Sequence, residues 1–127
     1  MSDDEFAALV EAGVAALRPD IRAKLDAVAI VIEDEPTAEQ LADLGLAADD
    51  RIFGLYEGVP LTERGLLDEV ILPDKITIFK NAILATYTKP EDVQACVANT
   101  VWHEVAHYFG MDEEMVTEEE KRRGKEL

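Results

Sequence analysis

The pentapeptide His103-Glu104-Val105-Ala106-His107 constrains this chain more than any other stretch. Both histidines of the 127-residue chain fall inside it. On a helix, residues four apart share a face, with Cβ atoms about 5–6 Å apart. Two imidazoles so placed can both reach one Zn²⁺ at about 2.0–2.1 Å. Glu104 lies one position round from His103. It can border such an ion without binding it, where a general base for a metal-activated water belongs.

A catalytic zinc site takes three protein ligands and keeps one position open. Gly110 is placed to take a left-handed conformation just past the helix end, since it has no Cβ to clash. The chain can then swing back toward the histidines. Glu113, the third residue after Gly110, is the expected third ligand, with Asp112 and Glu114 as register alternatives. The whole reads H-E-x-x-H-x-x-G-x-x-E, the metzincin spacing with a carboxylate in the last slot. H-E-x-x-H also arises on ordinary helices, where the histidines cap or pair with acids. The turn glycine, the acid at ligand spacing and the confinement of both histidines to the motif favour a metal site.

With these residues in hand, the chain resembles the small bacterial zincin-like, or minimal, metallopeptidases with an H-E-x-x-H-x-x-G-x-x-[D/E] motif. Leu55-Tyr56-Glu57-Gly58-Val59-Pro60-Leu61-Thr62-Glu63-Arg64 resembles the loop signature of that family. Leu72-Pro73-Asp74-Lys75-Ile76-Thr77-Ile78 resembles its strand ahead of the active helix. The resemblance runs from the N-terminal helix to about Glu114. It implies zinc ligands at His103, His107 and Glu113, with Glu104 catalytic, and no Met-turn downstream. Here the third acid is Glu rather than Asp. The resemblance also makes the strand before the active helix an edge on which a peptide docks by strand addition, which suits the free N–H and C=O groups of a sheet edge; an ordinary sheet strand with no ligand is the equal alternative.

Length fits one domain, residues 1–127, and 48% hydrophobic residues suffice for a single core. The 28 acidic residues outnumber the 12 basic ones, for a net charge of −16. That argues against nucleic acid and anionic membranes, both of which want basic surfaces. It permits a mild attraction for cationic peptides. Cys96 is the lone cysteine, so no internal disulfide points to an oxidising compartment. No signal peptide and no apolar run of about 20 residues is evident, and a cytoplasmic location is expected.

Ser2 with Glu5 is a capping-box signal for a helix from about Asp3 to Leu17, and Pro19 starts a short second one. Val28 to Ile32 reads as a strand. Thr37 with Gln40 caps a short helix that Gly45 ends. Ile52 to Glu57 reads as a second strand. Lys75 to Ile83 alternates as a third, with Ile76 and Ile78 facing one way and Thr77, Phe79 and Asn81 the other. Thr88 with Glu91 is expected to cap the helix that runs to about Phe109. Val93, Cys96, Val97, Val101, Trp102 and Val105 make that helix apolar around much of its circumference, so it belongs at the centre of the domain. Asn99 and Thr100, one turn before the histidines, can hydrogen-bond a ligand's free ring nitrogen. A last short helix is expected from Glu118 to about Gly124, with Met111 and Met115 as core fillers.

The expected fold is therefore α+β and zincin-like, a small mixed sheet of about three strands packed on a central active-site helix. The expected function is zinc-dependent hydrolysis of peptide bonds in a peptide or unfolded protein. A catalytically silent zinc-binding interaction module and a metal-free adaptor are the alternatives. The Tyr56 hydroxyl can donate to a developing oxyanion, although a Tyr at such a place more often half-buries its ring. Arg64 suits either a substrate carbonyl or a structural carboxylate.

Overall fold

The computed structural model describes residues 1–26, 28–47, 50–58 and 74–110. Among them the order is α1 (Asp3–Ala15), α2 (Pro19–Ala23), β1 (Val28–Glu33), α3 (Ala38–Asp43), β2 (Gly54–Glu57), β3 (Asp74–Phe79), α4 (Lys80–Thr86) and α5 (Pro90–Tyr108). The expected last helix, the two methionines after Gly110 and most of the loop signature, Arg64 included, lie outside the described residues.

Local chemistry sets most of the boundaries. Ser2 and Glu5 exchange side-chain and backbone hydrogen bonds at 3.1 Å each, and Thr37 and Gln40 do the same at 3.0 and 2.9 Å. Both boxes satisfy helix N–H groups that would otherwise lack partners. Hydrogen bonds from Ser2 hold the Glu5 carboxyl below its ordinary range. α5 departs from expectation. Its N-cap is Lys89 rather than Thr88, with no side-chain cap, and Pro90 occupies the first turn. Proline fixes the helical φ there and has no N–H to satisfy, so it sets the boundary without a capping side chain.

The sheet is mixed, in the order β1-β3-β2. β1 lies parallel to β3, from Val28 opposite Asp74 to Glu33 opposite Phe79. β2 lies antiparallel on the other side, with Gly54 opposite Ile78 and Tyr56 opposite Ile76. The strand ahead of the active helix is thus central, and both of its hydrogen-bonding edges are occupied. That corrects its expected role as a docking edge. Among the described residues β2 carries a ladder on one side only.

A second correction concerns the end of β3. Extended backbone stops at Phe79, and Lys80–Thr86 is helical. Ala82 and Ile83 then fall three and four residues after Phe79, and all three are buried. The run Ala82-Ile83-Leu84-Ala85 is rich in helix formers. The Asn81 N–H donates to Asp34 O at 3.1 Å, outside the sheet ladder.

The core sits between α1, α5 and one face of the sheet. Val93, Val97, Val101 and Val105 form a buried stripe along α5, meeting Phe6 and Val10 of α1 and Ile76 and Ile78 of β3. Burying each such side chain contributes about 1.5–3 kcal/mol relative to exposure. A β-carbon at Gly13 would stand 3.3 Å from Ala98 Cα, so α1 lies close against α5. Thr77 and Phe79, on the opposite face of β3, are also fully buried. β3 is therefore covered on both faces, as its nearly continuous apolar run allows.

Thr77 Oγ1 is buried with no hydrogen-bond partner among the described residues. An unpaired buried hydroxyl costs about 1–3 kcal/mol. We predict that Thr77→Val raises stability by about 1 kcal/mol, read as a higher urea midpoint at constant slope. A lowered midpoint would mean that the hydroxyl is satisfied after all.

Candidate metal centre

The C-terminal half of α5 is mostly buried. Val101, Trp102, Glu104, Val105, Ala106 and Tyr108 are all buried, while His103 and His107 are only partly so. The two histidines share one face, with ring centroids 4.7 Å apart and planes inclined by 64°. Glu104 is 6% exposed. Its Oε1 lies 3.4 Å from His107 Nδ1, a long polar contact.

One ligand atom from each of His103, Glu104 and His107 falls within 4.8 Å of the other two. Two donors on one zinc stand at most about 4.2 Å apart, so this spacing suits an ion held by the two imidazoles with the Glu104 carboxylate beside it. Two imidazoles with one further carboxylate, expected from beyond Gly110, are a donor set that zinc accepts. By this test of chemistry and spacing the residues fit the ion.

The helix end behaves as expected. Gly110 has φ +78°, and its N–H donates to His107 O at 2.9 Å. That conformation strongly favours glycine, and it ends the helix three residues after the second histidine. Tyr108 anchors the same turn, with its hydroxyl 3.4 Å from Lys24 O. Glu113, the expected third ligand, and its alternatives Asp112 and Glu114 lie outside the described residues.

Tyr56 lies on β2, where two contacts hold it. Its hydroxyl donates to Asp74 Oδ1 at 3.2 Å, and its ring packs edge-on against Tyr108 at 5.9 Å. The Thr100 hydroxyl donates back to Cys96 O at 2.7 Å, so its proton serves its own helix. Cys96 is partly buried, and burial pushes its thiol up from the ordinary value. The thiolate is disfavoured there, which suits a packing role rather than a reactive one.

A groove follows this face of α5. One part, about 280 Å³, is lined by Ile52, Phe53, Gly54, Asn99, Thr100, His103 and Glu104. A second part, about 360 Å³, shares Phe53, Asn99 and Thr100 and continues past Cys96 to Asp92 and Tyr87. Its only charged lining groups among the described residues are acidic, Glu104 and Asp92. Sequence reading singled out Asn99 and Thr100 but missed Ile52, Phe53 and Gly54 as groove residues. An isolated glycine in a strand pattern was the available signal, because it often marks a close backbone approach.

Among the described residues no helix is long and apolar enough to cross a membrane. A search of curated proteins returns no match. Among solved structures, the chain is similar to a conserved hypothetical protein from Thermo thermophilus. The TM-score is 0.57 and the identity 21%, over 86% of this chain and 94% of that one. At that identity the likeness concerns the fold. The sequence profile of the zincin-like metallopeptidases matches residues 25–123, which takes in the sheet, the groove and the histidine motif. The chain belongs to the zincin-like metallopeptidase family.

Proposed function

We propose that this protein is a zinc-dependent peptidase that hydrolyses peptide bonds in peptides or unfolded protein. The observation that carries the reading is the buried carboxylate of Glu104 beside two half-buried histidines on one face of α5, at the mouth of a groove. His103 and His107 would hold the ion together with an acid beyond Gly110. Glu113 is first choice for that acid, and Asp112 and Glu114 are the alternatives. When bound, zinc polarises a carbonyl and lowers the pKa of a water toward about 7.

The chain's own groups supply the rest. Glu104 accepts the proton of the attacking water and returns it to the leaving amine. Its burial removes competing solvent from that transfer and strengthens its electrostatic interactions. The groove between β2 and α5 takes the substrate chain. Among the described residues β2, unlike β3, carries a ladder on one side only, and its outer side suits strand addition. The acidic lining and the charge of −16 favour neutral or cationic peptides over acidic ones. We place the protein in the cytoplasm on the strength of its lone cysteine.

The test joins metal analysis with a cleavage assay. Protein purified without added zinc should hold about one zinc per chain, and it should cut an unstructured peptide. A chelator should stop the cutting and zinc should restore it. Stoichiometric zinc without cleavage would leave a silent binding module. Absence of zinc would remove the proposal entirely.

A further inference from the structure

β2 meets α5 directly over Glu104, and the contact depends on a missing side chain. A β-carbon on Gly54 would stand 2.6 Å from Thr100 Cγ2, 3.1 Å from Glu104 Cγ and 3.2 Å from Thr77 O. Real β-carbons do not tolerate the first distance, and the other two are tight. The approach comes from register. Gly54 and Tyr56 point to the same face of β2, as do their partners Ile78 and Ile76 in β3. On that face Tyr56 rests on Tyr108, one turn beyond Glu104. Any larger residue at position 54 would lift the strand from the helix just where the carboxylate stem lies.

Thr100 locks the same contact from the helix side. Its hydroxyl is tied back to Cys96 O at 2.7 Å, which fixes the rotamer and leaves the methyl facing Gly54. The stem of Glu104 is thus walled by the bare backbone of β2. A wall of backbone, paired to β3 through the sheet, is stiffer than a side chain that can change rotamer.

We infer that Gly54 is a positioning residue: by having no side chain it lets β2 close on α5 and fixes the Glu104 carboxylate at the mouth of the groove. The inference rests on the peptidase reading for what that carboxylate does, though not for where it sits. Position 54 then acts through Glu104, while the histidines keep their own contacts. Misplacing a reacting group by about 1 Å can cost on the order of 10²-fold in rate.

The two contacts can be separated. In Gly54→Ala the severe overlap is with the Thr100 methyl, and Thr100→Ser removes that methyl while keeping the hydroxyl bonded to Cys96. Gly54→Ala alone should lower the melting temperature. The double variant Gly54→Ala/Thr100→Ser should recover most of that loss, with Thr100→Ser as its reference. Catalysis should not recover, because the new β-carbon still presses on Glu104. We expect kcat at least tenfold below Thr100→Ser, with KM and zinc content little changed. A second readout is independent of activity and of metal. The Glu104 γ-methylene NMR signals should shift between Thr100→Ser and the double variant. Equal kcat in those two proteins, or unmoved Glu104 signals, would overturn the inference. Should the wild type neither bind zinc nor cleave, the peptidase reading fails, and the Glu104 signals still decide the role of Gly54.

Discussion

Glu104→Gln should abolish peptide cleavage while leaving zinc content and stability nearly unchanged. The carboxylate is 6% exposed and sits on a helix packed among Val101, Val105 and Ala106. Glutamine keeps the length and shape of the side chain, so packing is preserved. It loses the capacity to accept and return a proton. General acid–base groups contribute about 10²–10⁴-fold, and a loss of about 10³-fold in kcat is the expected result. His103 and His107 remain, so metal analysis of the variant should match the wild type. The comparison is diagnostic because a silent binding module would show no difference between the two proteins: neither would cut. A loss of zinc together with activity would instead assign Glu104 to the ligand set. Its 3.4 Å contact with His107 Nδ1 makes that outcome worth measuring directly.

What could be read from sequence divides by the range of the interactions involved. Capping boxes at Ser2 and Thr37, the β-branched run from Val28 and the left-handed Gly110 are decided within a few residues, and all three are seen. Strand order is decided by pairing across the chain. Nothing in the alternation of β3 states how many neighbours it has. Its nearly continuous apolar run, Ile76-Thr77-Ile78-Phe79, broken by Thr77 alone, is a hint that both faces are buried, and a strand buried on both faces is seldom an edge. The end of β3 was lost for a related reason. Alternation and helical spacing coincide over short apolar runs, and only the burial of Ala82 and Ile83 beside Phe79 settles the period. At α5 a proline prevailed over a side-chain cap, a competition that propensity alone did not rank.

At the site, the helix positions were legible because a spacing of four on a helix is geometry already. Gly54 was not, since its importance lies in what it faces. Its contact partners, Thr77, Thr100 and Glu104, are 23, 46 and 50 residues further along the chain. Tyr56 shows the converse. Its hydroxyl had a chemical use in prospect, and the structure gives it a partner in Asp74, itself 3% exposed. A buried carboxylate needs hydrogen-bond donors, and a neighbouring phenol meets that need.

Zinc should raise the melting temperature of the wild type and should not raise that of a His103→Ala/His107→Ala variant. An ion that binds the folded chain alone stabilises it by about 4 kcal/mol when free zinc is a thousandfold above the dissociation constant. For a domain of this size that corresponds to a rise of roughly 10 °C or more. Without zinc the same double substitution should cost little. Both imidazoles are only partly buried, on a helix whose other faces supply the packing, and alanine is the strongest helix former. The expected pattern therefore differs from that for Val97 or Val101, fully buried on the same helix. Replacing either of those by alanine should lower stability whether or not zinc is present, through the lost apolar contact and the cavity left behind. A zinc response that survives loss of both histidines would place the ion elsewhere and remove the metal centre from α5.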